Sequence, residues 1–362
     1  MENLVNETPT PKKNYAFIDS IRCIAMISIV MEHAMSLASS LYHPKNHSEL
    51  LILSFISQIG KFGTICFFLL AGFLIGEKFT DYTPLQYLKR RLGSTFVPWL
   101  VWSVLFLLTI IADDAVIALK FNHGHFDDNY SKTFLDHLGF VYLHSTFWFI
   151  PNFLVCITLL LIFKKWLYKY WLGLIFLLFT CAYAVNIYFE WIDPLHTTAI
   201  FGFVFFLWLG AQFNKQINGL EKWIAKTPLT FWFLASVITL FLGLYEALRL
   251  FEIHSADPFN TLRFSNILFS LAVFFLLFKI RNFPFTKYLK PRETTYGIYL
   301  THFVVSYSLL PLIFPGLKLT TNFLSFPVLL LYLLVKLVII YGISWGIVML
   351  LNKTRLKWLT GN

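Results

Sequence analysis

Asp19-Ser20-Ile21-Arg22-Cys23-Ile24-Ala25, running on through apolar residues to Met31-Glu32-His33, sets ionisable side chains inside a segment otherwise suited to hydrocarbon. On an α-helix, eleven steps of about 100° bring His33 back to within roughly 20° of the face of Arg22, about 16 Å further along the axis. One face of one helix therefore carries a fixed cation and a titratable imidazole. Both are costly in lipid, so each marks a candidate functional site. Glu32 adjoins His33 in sequence but points about 100° away, which suits it to orienting some other group.

The surrounding chain has the same apolar character. Its 362 residues are 57% hydrophobic and 13% charged, and the mean hydropathy of +0.67 lies outside the range of soluble domains. About ten stretches are long enough to cross roughly 30 Å of hydrocarbon as helices, at roughly 15–41, 50–77, 93–115, 141–164, 170–190, 195–213, 228–250, 263–281, 294–314 and 323–351. The fold class is all-α, a polytopic membrane bundle. Residues 1–14 form a polar tail, 15–351 the membrane domain and 352–362 a second short tail. Ile59-Gly60-Lys61-Phe62-Gly63 interrupts the second stretch, so its first half reads as an interfacial or re-entrant piece before a crossing from about Phe62.

Basic residues fall on alternate loops, as the positive-inside rule requires of a cytoplasmic face. Lys12 and Lys13 precede the first span, and Lys78, Lys89, Arg90 and Arg91 follow the second. Lys164, Lys165 and Lys169 follow the fourth, Lys215, Lys222 and Lys226 the sixth, and Lys279, Arg281, Lys287, Lys290 and Arg292 the eighth. The opposite loops hold few cations, Arg263 among them, beside Asp113, Asp114, Asp136, Glu190 and Asp257. Both termini are then cytoplasmic, and an even number of crossings is required. The net charge of +10 is spread over these loops and the last tail, so no nucleic-acid surface is expected. A polar N-terminus that runs straight into a full-length span gives no sign of a signal peptide.

Cys23, Cys66, Cys156 and Cys181 lie within predicted helices without paired spacing and read as small apolar residues. Asn122-His123-Gly124-His125-Phe126-Asp127-Asp128 has metal-like residue types, but its spacing matches no site, and no metal is expected. Intramembrane carboxylates are few, with Glu32 and Glu246 the clear cases. That scarcity fits an anionic cytoplasmic donor and a proton-transfer step better than ion-coupled transport.

The arrangement resembles the acyltransferase family 3 membrane proteins. Phe17 to His33 is similar to the family's first helix, with a basic residue, ten intervening residues and a His. Phe67-Phe68-Leu69-Leu70-Ala71-Gly72-Phe73-Leu74-Ile75 resembles its second-helix element, with Ala71 where Ser is common. Lys89-Arg90-Arg91 with Pro98-Trp99 resembles its basic entry to the third helix, with Ser94 and Thr95 where a further Arg often stands. Phe147-Trp148-Phe149-Ile150-Pro151 and Tyr296-Gly297-Ile298-Tyr299-Leu300-Thr301-His302 resemble its later elements. The resemblance covers nearly the whole chain.

It implies an integral membrane O-acyltransferase of a bacterial-type inner membrane. Such an enzyme takes an acyl group, usually acetyl, from acetyl-CoA or another acyl-CoA donor to a hydroxyl of a cell-envelope glycan or lipid-linked saccharide. His33 suits the general base, with Glu32 beside it. Arg22, Lys89, Arg90 and Arg91 are the cations available for the donor's phosphates, although the last three equally serve as topology anchors. Trp148 either stacks on a ring of a substrate or sits in an aromatic belt. Tyr299 and His302, three apart, either line the cavity or pack between helices. The competing reading is a transporter or flippase of a lipid-linked saccharide. The acceptor, the acyl chain and the oligomeric state are not legible.

Overall fold

A computed structural model describes residues 15–36, 42–78, 82–121, 130–313 and 324–362. The run Asn122–Asp128 lies outside these residues. Of the described residues 83% are helical, and none lies in a strand. In order the helices are α1 (Ala16–Met35), α2 (His47–Ile59), α3 (Gly63–Lys78), α4 (Pro84–Arg91), α5 (Val97–Phe121), α6 (Tyr130–Gly139), α7 (Phe149–Ile162) and α8 (Tyr170–Phe189). They continue with α9 (Val204–Lys215), α10 (Ile217–Lys226), α11 (Leu229–Glu252), α12 (Phe264–Ile280), α13 (Thr286–Leu289), α14 (Pro291–Val304), α15 (Leu310–Ile313) and α16 (Phe326–Asn352).

Among the described residues six helical stretches are long and apolar enough to cross a membrane, or seven if the bent pair Lys132–His144 and Thr146–Ile162 is one span. The other stretches expected to span are helical but do not meet that measure, each for a local reason. The 20 residues of α1 include Asp19, Arg22 and Glu32. α9 has only 12 residues and follows a run of turns, and α12 has 17. At the interruption, Gly60–Phe62 forms one 3-10 turn, and His47–Glu77 runs through it as a single candidate span of 31 residues.

Burial sorts the helices. In the most apolar window of His47–Glu77 78% of residues are buried, against 28% in α11 and 17% in α16, so the first is central and the last two face outward. Charged α1 is held inside, packed against α3, α12, α14 and α16. Its first turns contribute Phe17, Ile18, Ile21 and Ala25 to one apolar cluster, with α3, α7, α8, α9 and α12. Its later turns contribute Met26, Val30, Ala34 and Met35 to a second, with α5, α14 and α16. α3 and α9 pack closely because each offers a glycine to the other. A Cβ on Gly72 would lie 1.9 Å from Leu207 O, and one on Gly210 would lie 2.1 Å from Leu69 O. Small residues allow such backbone contact where no hydrophobic force pulls helices together in lipid.

Two local signals fix the entry to α5. Thr83 Oγ1 accepts from Gln86 N at 3.4 Å while Gln86 Oε1 accepts from Thr83 N at 3.1 Å, a capping box that starts α4 with Pro84 in its first turn. Pro98 cannot donate to the carbonyl four residues back, and its ring crowds that carbonyl, so the chain opens into a π-turn over Leu92–Phe96. Arg263 departs from the sequence reading. It is fully buried rather than solvated, donating to Gly243 O at 2.6 Å, Gln58 Oε1 at 2.5 Å and Asn260 O at 3.1 Å.

Gly72→Val will lower the thermal midpoint in detergent by an amount consistent with about 1–3 kcal/mol or more of overpacking. Gly219→Ala, where an added Cβ meets nothing within 4 Å, will leave it unchanged or slightly raised. A scanning-fluorimetry melt of both variants checks the contrast.

Candidate active site

Two cavities enter the bundle from opposite ends and share four lining residues, His33, Thr64, Thr146 and Trp148. The first, of about 290 Å³, has Arg22, Arg91 and Arg292 in its wall and lies toward the end that carries the basic loops. Tyr296, Tyr299, Phe149 and Ala71 line its depth. The second, of about 490 Å³, is lined by Glu32, Lys61, Ser36, His144, His196 and Asp257 and lies toward the other end. The shared residues form a neck between the two, and α1 runs along it with Arg22 near its start and His33 near its end.

The mouth of the first cavity is organised by one carboxylate. Asp19 Oδ1 accepts from Arg22 Nη1 at 3.3 Å, and Asp19 Oδ2 accepts from Arg292 Nε at 2.7 Å. Arg91 Nε donates to Tyr87 Oη at 2.9 Å, with its guanidinium 5.3 Å from the centre of that ring, which leaves the terminal nitrogens for other partners. Of the basic run, only Arg91 reaches the cavity. Lys89 and Arg90 are exposed and do not line it, and Arg90 donates instead to Tyr82 Oη. Arg292, read from sequence only as one of several loop cations, takes a place in the wall. Lys287 and Lys290 stand in the same loop, so nothing in sequence singled it out.

His33 is half-buried. Its ring centre lies 5.4 Å from that of His302 and 6.0 Å from that of Phe303. His302 is fully buried behind it and lines neither cavity. Its Nδ1 lies 3.0 Å from Ile298 O and 2.8 Å from Tyr299 O. Carbonyl oxygens only accept, so Nδ1 carries the hydrogen and Nε2 presents a lone pair. That Nε2 has no partner among the described residues. Tyr299, unlike His302, lines the cavity, and its hydroxyl donates to Thr146 O at 2.7 Å.

Glu32 faces away from the imidazole, as its helical angle demands, and accepts from Lys61 Nζ at 2.5 Å. Both side chains are largely buried, at 7% exposure for Lys61 and 13% for Glu32. The Gly60–Phe62 turn delivers that lysine. Ser28 Oγ donates to Gly60 O at 2.7 Å and accepts from Gly63 N at 3.1 Å, so α1 satisfies the backbone that the break leaves open. Sequence did carry a signal for Lys61, a cation within an apolar run. Sequence reading missed His196 and took Asp257 only as one of several loop carboxylates, since both lie in loops without periodicity. His196 stacks on Trp148 with ring centres 4.9 Å apart, donates or accepts at Thr261 Oγ1 over 3.0 Å, and has Nδ1 3.7 Å from Asp257 Oδ2.

No group of three or more His, Cys, Asp or Glu among the described residues could hold a metal ion. The arrangement is instead that of a helical membrane protein with a two-ended cavity, an imidazole at the neck and guanidinium groups at one mouth. The chain belongs to acyltransferase family 3, whose model, described as an acyltransferase domain, matches residues 15–349. It is accordingly a multi-pass membrane protein of an acyltransferase family. Neither a curated protein nor a solved structure matches it.

Lys61→Met will strand the Glu32 carboxylate and lower the melting midpoint, since breaking a buried ion pair costs about 3–5 kcal/mol. The double change Glu32→Gln with Lys61→Met will recover most of that loss. Melts of the purified variants in detergent distinguish the two outcomes.

Proposed function

We propose that this protein transfers an acyl group, acetyl in the simplest case, from an acyl-CoA entering the arginine-lined cavity to a hydroxyl entering the opposite one. The acceptor class is a cell-envelope glycan or lipid-linked saccharide, the membrane is the bacterial inner membrane, and His33 is the general base. The observation that carries this reading is that His33 lines both cavities. A base at the neck can meet a thioester from one end and a hydroxyl from the other without either substrate crossing the membrane.

The residues fit these roles for physical reasons. Coenzyme A is polyanionic, and Arg22, Arg91 and Arg292 offer planar forks suited to phosphate oxygens. The one carboxylate among them, Asp19, is shared between two guanidiniums, so the mouth keeps a positive surplus. Trp148, at the neck and stacked on His196, presents an aromatic face to the second cavity, where Glu32, Asp257 and His196 supply groups that bond hydroxyls. A saccharide transporter would use a similar passage, but it would have no use for the acyltransferase family's arrangement and would consume no thioester.

Proteoliposomes given labelled acetyl-CoA on one side at a time test the reading. Transfer is expected only with donor on the face bearing the basic loops, and His33→Ala is expected to lower turnover by roughly 10²–10⁴ while the protein stays inserted. Saccharide movement with no thioester consumed would instead establish the transporter. Arg91→Ala is expected to raise the KM for acetyl-CoA by the loss of a contact of roughly 1.5–3 kcal/mol, whereas Arg90→Ala will leave it near the wild-type value. Equal effects of the two would return both arginines to a topological role.

A further inference from the structure

Four buried side-chain polar atoms lack a hydrogen-bond partner among the described residues: Ser54 Oγ, Thr146 Oγ1, His302 Nε2 and Ser344 Oγ. Of the four, Thr146 alone lines these two cavities, and it lines both, at the neck beside His33. Thr146 is 4% exposed. A buried hydroxyl without a partner is destabilising, and natural structures rarely retain one without a use.

The backbone around Thr146 is held from several sides. The span breaks here, with a 59° bend between Lys132–His144 and Thr146–Ile162. Ser145 Oγ accepts from Phe147 N at 3.2 Å and caps the 3-10 turn Thr146–Trp148. Trp99 Nε1 donates to Phe147 O at 2.8 Å, and Tyr299 Oη donates to Thr146 O at 2.7 Å. Ser145, Trp99 and Tyr299 thus fix the main chain of Thr146 and Phe147, while the Thr146 hydroxyl is left over. A polar group fixed in advance and unspent is what stabilisation of a developing charge requires, because no reorganisation is needed when the charge appears.

We infer that the Thr146 hydroxyl is the hydrogen-bond donor to the acyl carbonyl oxygen during transfer, which makes it a catalytic residue of the reaction proposed above and rests on that reading. The acceptor oxygen bonds the acyl carbon and its proton passes to His33. The carbonyl π pair moves onto the oxygen, where Thr146 Oγ–H donates to it. Collapse of this adduct breaks the carbon–sulfur bond, and the departing thiolate takes the proton from His33. The products are the ester and free coenzyme A.

The test compares Thr146→Val, which keeps the shape without the hydroxyl, with Thr146→Ser, which keeps the hydroxyl. Both are assayed in proteoliposomes with acetyl-CoA and the membrane-extracted acceptor, and both are melted in detergent. Thr146→Val should lower kcat by roughly 10²–10³ with the KM for acetyl-CoA within about threefold, and its melting midpoint should hold or rise because an unpartnered hydroxyl has been removed. Thr146→Ser should keep kcat within about tenfold of the wild type. A Thr146→Val enzyme with wild-type kcat overturns the inference, as does a loss of kcat that accompanies a lower melting midpoint and is not rescued by Ser. A wild-type protein that consumes no acetyl-CoA under these conditions removes the acyl-transfer reading and the inference together. Wild-type turnover matched by Thr146→Val removes the inference alone.

Discussion

Three charged side chains on α1, Asp19, Arg22 and Glu32, must be kept from lipid, and most of the architecture answers to that constraint. Asp19 is shared between Arg22 and Arg292, and Glu32 takes the ammonium of Lys61. Arg292 and Lys61 come from other elements, so α1 cannot sit at the edge of the bundle. It is packed among α3, α12, α14 and α16, while α11 and α16 turn most of their apolar surface outward. His33, on the face of Arg22, is left where the two cavities join.

A central helix with polar work to do needs its neighbours to bend around it. Irregular backbone in a membrane is tolerable only where protein or a water-filled cavity satisfies its carbonyl and amide groups. The interruptions obey that rule. Gly60–Phe62 is closed by Ser28 of α1, and the break at Ser145 is closed by the serine itself, Trp99 and Tyr299. The π-turn Val305–Leu309 follows directly on the helix that carries Tyr299 and His302. The breaks at Gly60 and Ser145 border the neck, and each supplies it with a residue, Lys61 close by in the first case and Thr146 and Trp148 in the second. The tight glycine contact of α3 with α9 lies elsewhere and is a matter of packing.

The two cavities differ in their electrostatics, and the difference fits their proposed occupants. Arg22, Arg91 and Arg292 against the single carboxylate of Asp19 give one mouth a positive surplus that suits a polyanion. Glu32, Lys61, His196 and Asp257 leave the other close to balance, with donors and acceptors interspersed beside an aromatic face. Hydroxyl-rich molecules suit such a surface, because they bond to both and carry little charge.

Some of this was settled by residue order alone. Apolar runs of membrane length make helices because lipid offers the backbone no other partner, so an all-helical membrane protein followed from the sequence. The spacing of Arg22 and His33 fixed them to one face through helical geometry, and the same geometry turned Glu32 away from His33. The resemblance of five segments to acyltransferase family 3 was legible for the same reason, since each motif is local. The sequence did not determine which basic residues face inward. Arg91 lines the cavity and Lys89 and Arg90 do not, because the rotation of α4 is set by where Tyr87 packs. Lys61, His196 and Asp257 come from separate parts of the chain and meet only when helices pack, and Arg292 joins Arg22 and Arg91 at the other cavity in the same way. Arg263 looked like a loop cation until Gly243, Gln58 and Asn260 closed around it. Thr146 was invisible altogether, for a hydroxyl without a partner is a property of everything that surrounds it, and only tertiary structure assembles those surroundings.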